Sequence, residues 1–181
     1  MKTVFLDRDG TLNIEIYPYL THIDQLQVFD FTHEAIRLLN KHQFKTILVT
    51  NQSCVAKKLI SENYLQKIHE TLLSRLKAKD AHLDAIYYCP HNPEDKCFCR
   101  KPNGGMVHRA VKEHGVDLKK SYMVGDRLFD LHLGKNMGLK TVLVLTGAGE
   151  KTFKALIDYQ EHPDHIADNV LEAVRWITQQ S

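Results

Sequence analysis

Two acidic segments each follow an apolar run. Asp7-Arg8-Asp9-Gly10-Thr11 comes directly after Val4-Phe5-Leu6, and Gly125-Asp126 comes after Tyr122-Met123-Val124. Carboxylates in such places can do two kinds of chemistry. A hard divalent cation such as Mg²⁺ takes one or two carboxylates together with waters and phosphate oxygens, and Asp7, Asp9 and Asp126 can supply the oxygens. A carboxylate can also attack phosphorus, so that an aspartyl-phosphate divides one hard hydrolysis into two steps. A second acid then protonates the leaving oxygen and activates water. Elsewhere, Cys89-Pro90-His91 is followed after five residues by Cys97-Phe98-Cys99. Three thiolates and an imidazole make a complete tetrahedral Zn²⁺ shell with no open position, which points to a structural ion. A disulfide framework fits less well, because Cys97 and Cys99 are awkward to bridge and three thiols leave one over. Cys54 stands outside this group and is assigned to packing or chance.

Short β-branched runs alternate with helical patterns along the chain, the mark of an α/β fold with a mainly parallel sheet flanked by helices. Strands are expected at Thr3 to Leu6, Lys45 to Thr50, Ala85 to Cys89, Ser121 to Val124 and Thr141 to Leu145. Each runs into a polar or glycine-bearing segment, and ligands of an open parallel sheet bind beyond the carboxyl ends of its strands. Helices are expected over Glu34 to Lys41, with Thr32 as N-cap, and onward from Ser61, where Leu65, Ile68, Leu72 and Leu76 recur at core-facing spacing. Further helices carry Met106, Val107, Ala110 and Val111 up to Gly115, run from Leu128 to Met137 before Gly138, and run from Asn169 to Gln179 with Trp176 as packing. Asp130, in the fourth of these, reads equally as a carboxylate supporting the site or as an exposed acid.

The 181 residues, 43% hydrophobic, suit one domain with a substantial core. Twenty-four basic against 22 acidic residues leave a formal charge of +2, too small for a dedicated nucleic-acid binder. Asp7 interrupts the N-terminal apolar stretch before signal-peptide length, and no segment approaches the ~20 apolar residues that cross a bilayer. A cytoplasmic monomer acting on a small phosphorylated substrate, with neither nucleic acid nor membrane as partner, is the expectation. Repeats, low-complexity tracts and linkers of domain-boundary length are not found.

The Asp7-to-Thr11 motif resembles the first motif of the haloacid dehalogenase (HAD) superfamily. Thr50 at a strand end, Lys101 before a helix and Gly125-Asp126 match its later motifs in order. The resemblance runs from Val4 to about Leu145 and implies a Rossmann-like three-layer sandwich with Mg²⁺ as cofactor; with the length it makes one domain of residues 1–181, and the cysteine loop adds Zn²⁺ as a second cofactor. Asp7 would be nucleophile and Mg²⁺ ligand, Asp9 general acid/base with its backbone carbonyl on the metal, and Asp126 a further ligand. Thr50 and Lys101 would hold the phosphoryl oxygens. The cysteine loop, residues 89–101, is similar to that of the zinc-bearing subgroup containing heptose bisphosphate and histidinol phosphatases. By that likeness Glu15, Ile16, Tyr17 and Pro18 would line the substrate pocket with Asn51, Gln52 and Ser53, and Arg100 and Arg127 would meet the distal, anionic part. A planar guanidinium suits a second phosphate. The chain departs from the subgroup at Cys54 and Lys57-Lys58, where glycine and an Arg-Gly pair are usual, and at Asn103-Gly104-Gly105 in place of Pro-Gly. Nothing of cap-domain size separates Asp7, Thr50 and Lys101, so the zinc loop is the expected lid.

Overall fold

A computed structural model describes residues 1–159 and 162–180. Its sheet contains β1 (Thr3–Leu6), β2 (Lys45–Asn51), β3 (Ala85–Cys89), β4 (Tyr122–Gly125), β5 (Lys140–Val144) and β6 (His165–Ala167). They lie in the order β3-β2-β1-β4-β5-β6, with every pairing parallel. Buried parallel strands alternate their side chains between two covered faces, and β1 does so: Val4 and Leu6 enter one core cluster, Phe5 the other. In β4, Tyr122 and Val124 join the first cluster and Met123 the second.

The first cluster packs under α1 (Thr32–Lys41), α2 (Glu62–Lys77) and α6 (Val170–Gln179). The second lies under α3 (Gly105–His114), with Leu133 of α4 (Leu128–Met137). A small third cluster joins α4 and β5 to Leu156 of α5 (Gly149–Tyr159). Helices on both faces of one parallel sheet make the expected three-layer sandwich. Among the described residues, no helix is long and apolar enough to cross a membrane.

Ser61 caps α2, accepting from Tyr64 N, and Asn169 rather than Asp168 caps α6, accepting from Leu171 N and Glu172 N. Thr32 does not cap α1. It is the helix's first residue, and its hydroxyl donates to Leu12 O at 2.7 Å, tying the helix to the loop after β1. Among the described residues, one strand and one α-helix lie beyond the expected set. β6 is three residues long with Ile166 partly exposed, and α5 follows β5 after a short turn. Trp176 packs as foreseen, stacked on His165 with ring centroids 4.5 Å apart.

Candidate active site

β1 and β4 are neighbours where the strand order reverses, with β2 and β3 on one side and β5 and β6 on the other. Such a switch point opens a crevice at the carboxyl ends. Leu6 stands opposite Val124, and Asp7 N donates to Val124 O at 3.0 Å. Asp7 and Asp126 therefore emerge side by side. Asp130, from the first turn of α4, completes a buried group whose carboxylate oxygens lie within 4.8 Å of one another.

Lys101 reaches this group from the loop before α3. Its fully buried ammonium lies 2.9 Å from Asp7 Oδ1 and 2.6 Å from Asp130 Oδ1, and donates to Val49 O at 2.9 Å. Three acceptors satisfy its three N–H groups. Three carboxylates against one ammonium leave an excess of two negative charges (3 − 1) when all are ionised. The strain shows in the acids themselves. Burial, then repulsion from Asp7 and Asp130, pushes Asp126 up to about 8. Burial also pushes Asp130 up to about 7, with Asp7 adding repulsion and Lys101 opposing both. Asp126 Oδ2 accepts from Ala148 N at 2.7 Å, whereas its Oδ1 is buried with no hydrogen-bond partner. An orphaned carboxylate oxygen in a crowded acidic group fits a hard divalent cation.

The Asp9 side chain turns away from this group. Arg8 Nε and Nη2 grip its two oxygens at 3.1 and 2.8 Å, while Asn13 and Gln52 each donate to it at 2.9 Å. Burial by itself would raise Asp9, but the Arg8 charge together with the hydrogen bonds from Arg8, Asn13 and Gln52 outweighs it and holds the carboxyl below its usual range. Thr50, at the end of β2, accepts from Gln52 Nε2 at 2.9 Å, leaving its own hydroxyl proton free to point elsewhere. Asn51 Oδ1 accepts from Lys101 N at 3.0 Å and its amide donates to Lys101 O at 3.2 Å. The side chains of Asn51 and Gln52 are thus engaged by the protein, one holding the Lys101 backbone and the other bridging Asp9 and Thr50. Ser53 is buried beside them.

Across the crevice, Glu15 pairs with Arg127, and Tyr17 is almost wholly exposed beside Ile16 and Pro18. Arg100 donates to His91 O at 3.1 Å, so it springs from the cysteine loop. In that loop Cys89, Cys97 and Cys99 Sγ lie 3.2 to 3.5 Å from one another, and His91 Nδ1 lies 3.5 Å from Cys89 and 3.2 Å from Cys99. All four cysteines are free thiols. A closed cage of three sulfurs and one imidazole nitrogen matches tetrahedral zinc. Cys54 is fully buried, which favours packing over chance.

Several supporting residues went unread in the sequence. Asp130 was left undecided there; in the fold it is fully buried and paired with Lys101. The turn after β5 also joins the site: Thr146 donates to Gly10 O at 2.6 Å and Ala148 N to Asp126. A Cβ on Gly147, whose φ is +58°, would meet Asp126 Oδ2 at 2.4 Å and Gly10 Cα at 2.5 Å, so only glycine fits. A glycine two residues past an expected strand was the available signal.

Comparison with known proteins agrees with this geometry. Residues 4–133 match the family described as polynucleotide kinase 3 phosphatase, and residues 98–173 the HAD-hydrolase-like family. The D-glycero-beta-D-manno-heptose-1,7-bisphosphate 7-phosphatase of Pasteurella multocida is 44% identical over 81% of this chain and 83% of its own. The D-glycero-D-manno-heptose-1,7-bisphosphate 7-phosphatase of Thermosynechococcus vestitus is 37% identical over 96% and 94%. Among solved structures, D,D-heptose 1,7-bisphosphate phosphatase from B. bronchiseptica, complexed with magnesium and phosphate, superposes with a TM-score of 0.91. It is 31% identical, with all of both chains covered.

Proposed function

The chain belongs to the haloacid dehalogenase-like phosphatases, and on that premise we propose that it is a D-glycero-D-manno-heptose 1,7-bisphosphate 7-phosphatase, working as a single-domain cytoplasmic monomer. The observation that carries the reading is the buried carboxylate group with Lys101 inside it and an orphaned oxygen on Asp126, set beside relatives of that name along most of the chain.

Asp7 and Asp126, with the Asp9 backbone carbonyl, would hold Mg²⁺, which when bound supplies positive charge for the phosphoryl oxygens. An Asp7 oxygen attacks the 7-phosphorus, and the bond from phosphorus to the sugar oxygen breaks. Asp9 has to enter this step protonated, against the Arg8 charge that favours its ionised form; it gives that proton to the leaving oxygen, then takes one back from water as the water attacks the aspartyl-phosphate, releasing phosphate and restoring Asp7. Lys101 neutralises the transferred group, and Thr50, its oxygen already accepting from Gln52, donates to it. Glu15, Ile16, Tyr17, Pro18 and Ser53 shape the sugar pocket, with Asn51 and Gln52 steadying it from behind. Arg127 and Arg100 receive the anionic distal end.

The test is a substrate panel with purified protein and Mg²⁺: heptose 1,7-bisphosphate, fructose 1,6-bisphosphate, histidinol phosphate and a 3′-phosphorylated DNA strand. Heptose bisphosphate should lead in kcat/KM by at least about tenfold, a preference of roughly 1.4 kcal/mol. Histidinol phosphate in front would replace this assignment by the neighbouring one. Chelating Mg²⁺ should stop hydrolysis while zinc stays bound, and activity that persisted would require a different ion arrangement.

Zinc is proposed to close the loop from Cys89 to Cys99, placing Arg100 and Lys101 without approaching phosphorus. Cys97→Ala should release the ion and destabilise by several kcal/mol, lowering Tm by roughly 10 °C. It should also narrow the preference for bisphosphate over monophosphate. An unchanged melting curve and an unchanged preference together would remove this role.

A further inference from the structure

Arg8 lies within the proposed nucleophile motif, yet its side chain is fully buried and directed inward. Two of its donors grip Asp9, and Nη2 also donates to Gln52 Oε1 at 3.0 Å. The remaining corner, Nη1, lies 3.2 Å from Nε2 of His69 on α2, 61 residues away in the chain. Guanidinium carries five N–H donors and no acceptor, so the proton in this contact belongs to Arg8 and Nε2 must accept it. That requires a neutral imidazole protonated on Nδ1. Burial, then the Arg8 charge, pulls His69 down to about 3, in keeping with a neutral ring. The ring is itself held against Tyr88, with centroids 5.6 Å apart.

A bidentate fork fixes the plane of the carboxylate it grips only while its own plane is fixed. Gln52 and His69 hold the outer corners of that fork. We infer that His69 is a positioning residue for the reaction, fixing Arg8 so that Arg8 fixes the Asp9 carboxylate. The inference rests on the reading of Asp9 as the group that exchanges protons with the leaving oxygen and water. His69 never meets the substrate, and its effect should fall on kcat far more than on KM, because orientation of a reacting group is felt at the transition state.

The experiment compares three substitutions. His69→Gln can place an amide oxygen near the Nε2 position, His69→Asn is too short to reach Arg8, and His69→Leu removes the acceptor. The Asn and Leu variants should lose at least about tenfold in kcat with KM within about threefold of the parent, and Gln should recover most of the loss. If all three keep kcat within about twofold, or Gln falls as far as Asn, the positioning role is wrong. Should the Leu variant fail to fold, the two polar variants decide. Nitrogen-15 spectra of the unmodified protein give a reading independent of turnover: Nε2 should be unprotonated near neutral pH, and an Nε2–H signal would overturn the inference. Asp9→Asn is measured alongside. Turnover surviving that change would sink the proton-exchange reading of Asp9, whereas its loss beside unaffected His69 variants would sink only the positioning role.

Discussion

Asp7→Asn should leave a folded protein whose turnover of heptose bisphosphate has fallen at least about a thousandfold. The amide keeps the volume, and its oxygen can still accept from Lys101 Nζ and from Arg8 N, which now lie 2.9 and 2.7 Å from Asp7 Oδ1. It can no longer form the acyl phosphate. The same change also removes one negative charge from a group in which Asp7 repels both Asp126 and Asp130. In the presence of chelator the variant should therefore melt no lower than the parent, and higher if that repulsion is the larger effect. Such a split, activity lost with stability kept or gained, is expected where function holds like charges together. Turnover above a chelated control would mean that water attacks phosphorus directly, and the nucleophile assignment would fall.

The second large effect is expected at Lys101. Lys101→Met keeps an unbranched side chain in the cavity but leaves Asp7 and Asp130 facing each other without the ammonium that now lies 2.9 and 2.6 Å from them. Removing one partner of a buried ion pair costs about 3–5 kcal/mol, because the other is left as an uncompensated charge. The loss should be plain in denaturant titrations of chelated protein. Saturating Mg²⁺ should return part of it by restoring positive charge. Turnover should fall by about 10²–10³-fold, the scale for losing one preorganised charge at a developing anion. Adding Asp130→Asn should recover a good part of the stability and none of the activity. A single-variant loss below about 1 kcal/mol would mean that Asp130 simply takes up a proton when Lys101 is gone, making the pair far less important than its geometry implies.

A parallel sheet reports itself in sequence because its strands are covered on both faces. β1, β2 and β3 are runs whose burial and β-branching are local properties, and their limits fell within a residue of expectation. β6 offered no such run. With three residues, its pairing to β5 is set by tertiary contact rather than by its own composition. Thr32 was misread as a cap for a related reason: its hydroxyl has a stronger claim from Leu12, 20 residues earlier, and only the folded chain brings the two together.

The motif residues were legible because Asp7 and Asp126 sit immediately beyond a strand and Thr50 next to last in one, where backbone direction alone delivers all three to one edge. The cysteine loop was legible because short spacing by itself keeps Cys89, His91, Cys97 and Cys99 within reach of one ion. Partner choice across the fold was not. Asp130 could have faced solvent, and it became the partner of Lys101 because α4 starts directly over that loop. Gln52 and Asn51 looked like pocket walls and proved to be bonded inward, to Asp9, Thr50 and Lys101. Arg8 was an unassigned letter in the motif until packing set His69 beside it. Local sequence determines which chemistry arrives at the sheet's edge, since strand direction and short loops are encoded nearby. Which buried charges face one another is decided by the packing of distant helices, because electrostatic partnership depends on distance in space and not along the chain.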